Sequence, residues 1–168
     1  LILFFILPLL IIFTLFSEQI LTLIYSSEYV QGSTVFQIFA TLAIFKILML
    51  YNLNFINSIG FARLVPFILL PGVILNIVLN YFLILEFEIE GVAFATALSW
   101  IFLLIASFLI LMKKIPFSFS IYNTLKIILN AIITFLIIYY LRGVFTIFNN
   151  YYLDSLLILI IGLGFYYV

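Results

Sequence analysis

A lysine in the middle of an apolar run, with two amides further along the same helical face, is the arrangement in this chain best suited to chemistry. Lys46 lies near the centre of the run from about Ser33 to Ile59, about 20 Å from either end at ~1.5 Å per residue. A charge at that depth of a lipid-embedded helix costs at least ~2.5 kcal/mol on insertion scales, so such a residue is a functional candidate facing a wet cavity. At ~100° per residue, Ala43, Lys46, Leu50, Asn54 and Asn57 fall on one stripe. The competing reading is a lysine that bonds backbone carbonyls or extends along a tilted helix to the interface.

Gly72, Asn76 and Asn80 recur every fourth residue below Pro71. Amides at that spacing either bond a neighbouring helix or line a polar path, and Asn76 is the cavity candidate among them. Pro71 and Gly72 are the hinge candidates, because proline removes one backbone bond and glycine lets a neighbour approach. Gly91, Ala95 and Ser99, then Ala106, form a small-residue stripe whose first use is close helix packing. Lys126, Asn130 and Thr134 make a weaker polar stripe. Glu18, near the end of the first run, is a candidate for ion coupling, against the plainer role of a carboxylate in head-group water.

These residues sit in a chain of 168 residues that is 68% hydrophobic and 7% charged, with six basic and six acidic side chains. A water-soluble domain needs a far larger charged skin, so the expected fold is an all-α, multi-pass transmembrane bundle whose solvent is membrane lipid. A net charge of zero gives no footprint for nucleic acid. The absence of Cys and His removes disulfides, thiolate catalysis and the usual transition-metal ligands, so neither a metal nor a cofactor is expected. No carboxylate pair, phosphate loop or activated nucleophile is visible, and the chain does not read as an enzyme. It starts at Leu1 in an apolar run and stops at Val168 in another, which reads as a fragment of a longer protein.

Crossing a ~30 Å hydrocarbon core takes about 20 apolar residues. Six spans fit: about 1–25, 33–59, 64–85, 92–112, 122–141 and 153–168, with Pro8 as a bend in the first. An acidic clip, Glu86, Glu88 and Glu90, separates the third from the fourth. Arg63, then Lys113, Lys114 and Lys126, mark one side of the membrane, while Glu28 and the acidic clip mark the other. The basic loops are therefore expected in the cytoplasm. Arg142 dissents from the pattern, opposite Asp154.

Four segments in order resemble the polysaccharide flippases of the multidrug/oligosaccharidyl-lipid/polysaccharide exporter superfamily. Leu15 to Tyr29 is similar to their "llf-G-x-x-Y" helix ending, with Ser26 in place of the usual Gly and Tyr29 fitting. Gly60 to Arg63 resembles the "G-x-x-K/R" turn, and Val73 to Leu85, with Asn76 and Asn80, the "vvNi-lN-lLIP" helix, although its Pro is missing at Leu85 and Glu86. Glu90 to Ser99 resembles the "yGi-GAAiATxxS" entry to the next helix. The match covers about Pro8 to Lys114; the last two spans fit by number and length.

The resemblance implies a C-terminal lobe, its N-terminal lobe missing here, of a two-lobed bundle of about 12 to 14 helices. Such a protein moves polyprenyl-pyrophosphate-linked sugar repeat units outward across the bacterial inner (plasma) membrane. Lys46 would then offset phosphate charge while Asn54 and Asn57 replace sugar hydration. Alternatives are a drug or cation exporter of the same superfamily, for which an acidic cavity is expected, and a non-transporting membrane subunit in which every polar stripe is packing. A membrane glycosyltransferase would carry a large outer loop with catalytic acids, and no such loop is seen in this sequence.

Overall fold

The computed structural model describes residues 2–114 and 121–144, and the side chains of 6–114, 125–126 and 129–140. The expected sixth span at 153–168, the turn around Pro116 and Ser118, and Asp154 lie outside the described residues. Among those described there are helices and turns and no strand: α1 (Ile2–Leu15), α2 (Ser17–Ile24), a 3₁₀ turn (Ser27–Gly32), α3 (Ser33–Ser58), a second 3₁₀ turn (Ala62–Leu64), α4 (Val65–Lys114) and α5 (Ile121–Val144). Two stretches are long and apolar enough to cross a membrane, Ser27–Ser58 and Ala62–Lys114. The chain divides into two compact units, Leu1–Gln37 with Phe119–Val168, and Ile38–Ser118.

In the first unit, α1 and α2 are the two arms of the run expected as one span, and they meet at 80°. The bend is at Phe16 and not at Pro8. Pro8 removes one bond, to the carbonyl of Phe4, and α1 continues through it. At Phe16 the backbone leaves the helical region, with φ −112° and ψ 26°. Phe16 is buried in one cluster with Ile11, Leu15, and Ala131 and Ile138 of α5, so the apolar contact with α5 holds the corner. Phe13 also meets Phe36 in a tilted aromatic pair at 5.9 Å.

Beyond α2 the chain turns at Ser26, whose φ of 146° and ψ of 174° lie in a region that glycine alone occupies readily. The amide of Ser26 donates to the Leu21 carbonyl at 3.4 Å and its own carbonyl accepts from Tyr29 at 3.2 Å, which fixes the turn. Ser26→Gly should therefore raise stability by about 1 kcal/mol, read as an upward shift of the detergent melting temperature. A lower melting temperature would mean that the serine hydroxyl compensates for the strain.

The second unit is an up-down-up arrangement of α3 and the two halves of α4. The C-terminus of α3 is closed by Gly60, at φ 86°, with Phe61 donating to the Ile56 carbonyl and Gly60 to that of Asn57, both at 3.1 Å. This pair of bonds satisfies carbonyls that the helix end would otherwise leave open. Pro66, in the first turn of α4, has no amide to leave unmade. α4 is too long for one crossing: 50 residues would extend about 75 Å if straight. It is broken at Glu88, where φ is 50° and ψ −127°. The chain reverses there, so that a Cβ on Gly91 would overlap the Leu83 carbonyl. The acidic clip expected between two spans is thus a one-residue reversal, with Glu86 and Glu90 already on the two legs, 65–87 and 89–114.

The legs lie antiparallel. The Asn76 amide donates to Thr96 Oγ1 at 3.4 Å and the Asn80 amide to Asn76 Oδ1 at 3.1 Å, while Gly72 admits the Leu103 side chain where a Cβ would collide with it. Every fourth residue of the second leg is buried, through Gly91, Ala95, Ser99, Leu103, Ser107 and Leu111. The buried face therefore continues along Leu103, Ser107 and Leu111, with Ala106 partly buried against the same core. α3 runs parallel to this leg. Asn52 donates to Ser107 Oγ at 3.2 Å, and Met49, Leu53 and Ile56 share a core with Ile68, Leu103 and Leu111.

Candidate functional site

The face of α3 that packs is Met49, Leu53 and Ile56, and the sequence stripe lies off it. Lys46, Leu50, Asn54 and Asn57 are all exposed, with Ala43 half-buried above them. Burying an apolar face sets the rotation of the helix, and the same rotation leaves the cation and both amides uncovered by the rest of this unit. The Asn54 carbonyl is used within the helix, accepting from Ser58 Oγ at 2.9 Å.

Lys46 meets an aromatic ring. Its Nζ lies over the Trp100 ring of the second leg, 5.1 Å from the centroid, and Phe39 packs on the same ring at 5.7 Å and 44°. An ammonium over an indole face is attracted by the ring quadrupole, by about 2 kcal/mol or more where water is excluded. That is of the same order as the insertion cost of the charge. Trp100 is the single tryptophan of the chain, and the helical periodicity of α3 gives no sign of it, since the contact joins two helices.

Asn76 stands apart from the stripe. It is on the hairpin, engaged with Thr96 and Asn80, where its amide ties the two legs together. Pro71 and Gly72 keep helical backbone angles; Gly72 is filled by Leu103, and Pro71 lines an apolar groove of about 420 Å³ with Leu70, Ile74, Leu75, Val78 and Phe102. Gly91, Ala95 and Ser99 are buried between helices, as packing residues are. Glu18 belongs to the other unit. It is exposed in the first turn of α2, a place that suits a carboxylate at a helix N-terminus. In that unit the hydroxyls of Ser17 and Thr134 are buried with no hydrogen-bond partner among the described residues.

The charged ends of the second unit are segregated. Lys114 Nζ lies 4.6 Å from the centroid of the Phe61 ring, which brings the C-terminus of α4 to the turn that carries Arg63. Glu86, Glu88 and Glu90 flank the reversal at the opposite end and are exposed. Among the described residues no group of three or more acidic side chains is placed to hold a metal ion.

No family model, no curated protein and no solved structure matches this chain. What the fold defines is an all-helical protein, among its described residues, with two apolar stretches long enough to cross a membrane.

Proposed function

We propose that this chain is a multi-pass part of a membrane transporter that flips lipid-linked oligosaccharide from the inner to the outer leaflet during cell-surface polysaccharide synthesis. The observation that carries the reading is the exposed line of Lys46, Asn54 and Asn57 on a helix whose adjoining face, Met49, Leu53 and Ile56, is packed. Lipid is a poor solvent for that line, and a hydrated, anionic cargo is a good one. Ser26 adds support, because the position where the flippase helix ending carries Gly has glycine-type backbone angles here.

In this reading the bent α1–α2 pair, α3, each leg of α4, and α5 are membrane spans, with 153–168 as a sixth. The legs of α4 are about 35 and 39 Å long, enough for a ~30 Å core. α1, of 14 residues, reaches only about 21 Å and needs α2 to complete a broken crossing. The second lobe that the flippase resemblance implies would rock against this one around the Lys46 line. The membrane would be the bacterial plasma membrane, with the Arg63 and Lys114 end in the cytoplasm.

Two experiments test this. Export is read by complementing a flippase-deficient strain with the full-length protein, and no surface glycan from well-inserted protein would sink the assignment. Orientation is read by cysteine labelling, without background because the chain has no Cys. Ala62→Cys should react from the cytoplasm and Ile89→Cys, at a position 72% exposed beside the reversal, from outside. Labelling of both from one side would remove the topology.

A further inference from the structure

We propose that the Trp100 ring is the resting partner of the Lys46 ammonium, and that a phosphate-bearing lipid head group seated along the Lys46, Asn54 and Asn57 line draws the ammonium off the ring. The proposal rests on the transport reading and names the event at its site. Three observations carry it. The ammonium is 5.1 Å from the indole centroid, in a run with no carboxylate on α3 to compensate it. The ring is braced from another direction by Phe39 at 5.7 Å, so it stays when the flexible lysine leaves. Lys46 is also exposed, so a ligand on the outer face of α3 reaches it without unpacking the core.

The competition has a definite sign. A ring quadrupole holds an ammonium less strongly than a full negative charge does in the same low-dielectric surroundings, so a phosphate wins the lysine when present. Asn54, eight positions on, lies about 12 Å along the helix, which leaves the amides for the groups attached beyond the phosphate. The ring then acts as a holding site that keeps the charge satisfied between cargoes and makes each cargo displace it. Trp100 is a positioning residue in this scheme, not a carrier of cargo.

The single tryptophan reports the exchange directly. The protein in phosphatidylcholine nanodiscs is titrated with farnesyl diphosphate, with farnesol, inorganic pyrophosphate and added phosphatidylglycerol as parallel arms, following Trp100 emission and binding heat together. Farnesyl diphosphate should change the emission saturably and farnesol should not. Inorganic pyrophosphate should act in the same direction at higher concentration, because the phosphate is the shared chemistry and the tail supplies membrane partitioning. A response to phosphatidylglycerol alone would assign the lysine to the bilayer's own lipid and overturn the proposal. Lys46→Gln should abolish the response. Trp100→Leu removes the competitor, so farnesyl diphosphate should bind about fivefold more tightly, with Trp100→Phe intermediate; Trp100→Phe decides the matter if the leucine variant does not fold.

Weaker binding in folded Trp100 variants would overturn the exchange and make the ring part of the ligand site. Binding heat with silent emission and no tightening would overturn it too, while leaving the transport reading intact. No binding in any arm would remove the transport reading itself.

Discussion

Lys46→Ala should abolish most export of lipid-linked oligosaccharide, by at least about tenfold per inserted molecule, while Lys46→Arg retains part of it. Losing one member of a charge contact in a water-poor site costs a few kcal/mol, and a tenfold loss needs only ~1.4. Arginine keeps the charge and can still lie over the Trp100 face, but its planar fork does not place a compact ammonium at the same point. The opposing expectation comes from the same contact. If Lys46 serves only to rest on Trp100, removing the charge relieves an insertion cost, and the alanine variant should be made as well or better and still export glycan. Surface polysaccharide divided by inserted protein separates the two, and full activity of Lys46→Ala would end the role of the lysine in transport.

Gly91→Val should be the most damaging single change to the fold. Any Cβ at 91 points into the Leu83 carbonyl, which is backbone and cannot rotate away as a side chain can. The legs must then part or the reversal at Glu88 must shift, at a cost of about 3 kcal/mol. A disulfide between cysteines placed at Asn76 and Thr96, whose side chains meet across the legs at 3.4 Å, should form readily in the parent and poorly in the valine variant. The detergent melting temperature should fall with it. Gly32 is the control, since nothing lies within 4 Å of a Cβ there, and Gly32→Ala should change stability by less than about 0.5 kcal/mol. Equal cross-linking in parent and Gly91→Val would show that the legs do not touch at this point.

The elements of this protein were legible in its sequence where the cause is local. A run of apolar residues closed by Gly60 makes α3, expected at 33–59 and found at Ser33–Ser58, because every amide of a helix finds its carbonyl within one turn and the cap is set by one glycine. The fifth run, expected at 122–141, is Ile121–Val144 for the same reason. The pairing of basic and acidic ends and the burial of Gly91, Ala95 and Ser99 follow from charge position and side-chain size, both of which are also written residue by residue.

Other features depend on how helices rotate and slide against each other. That Asn52 meets Ser107 and Lys46 meets Trp100 is decided by the register between two helices about 54 positions apart in the chain, for which an apolar run of uniform composition offers many near-equal solutions. The bend at Phe16 in place of Pro8 has the same origin: a proline costs one bond that the helix absorbs, whereas the corner is held by the burial of Phe16 with Ala131 and Ile138, residues far along the chain. Hydrogen bonding and desolvation over one turn determine which segments are helices. Only packing, which sums many weak contacts between distant residues, decides which face of each helix is covered and leaves Lys46, Asn54 and Asn57 uncovered on theirs.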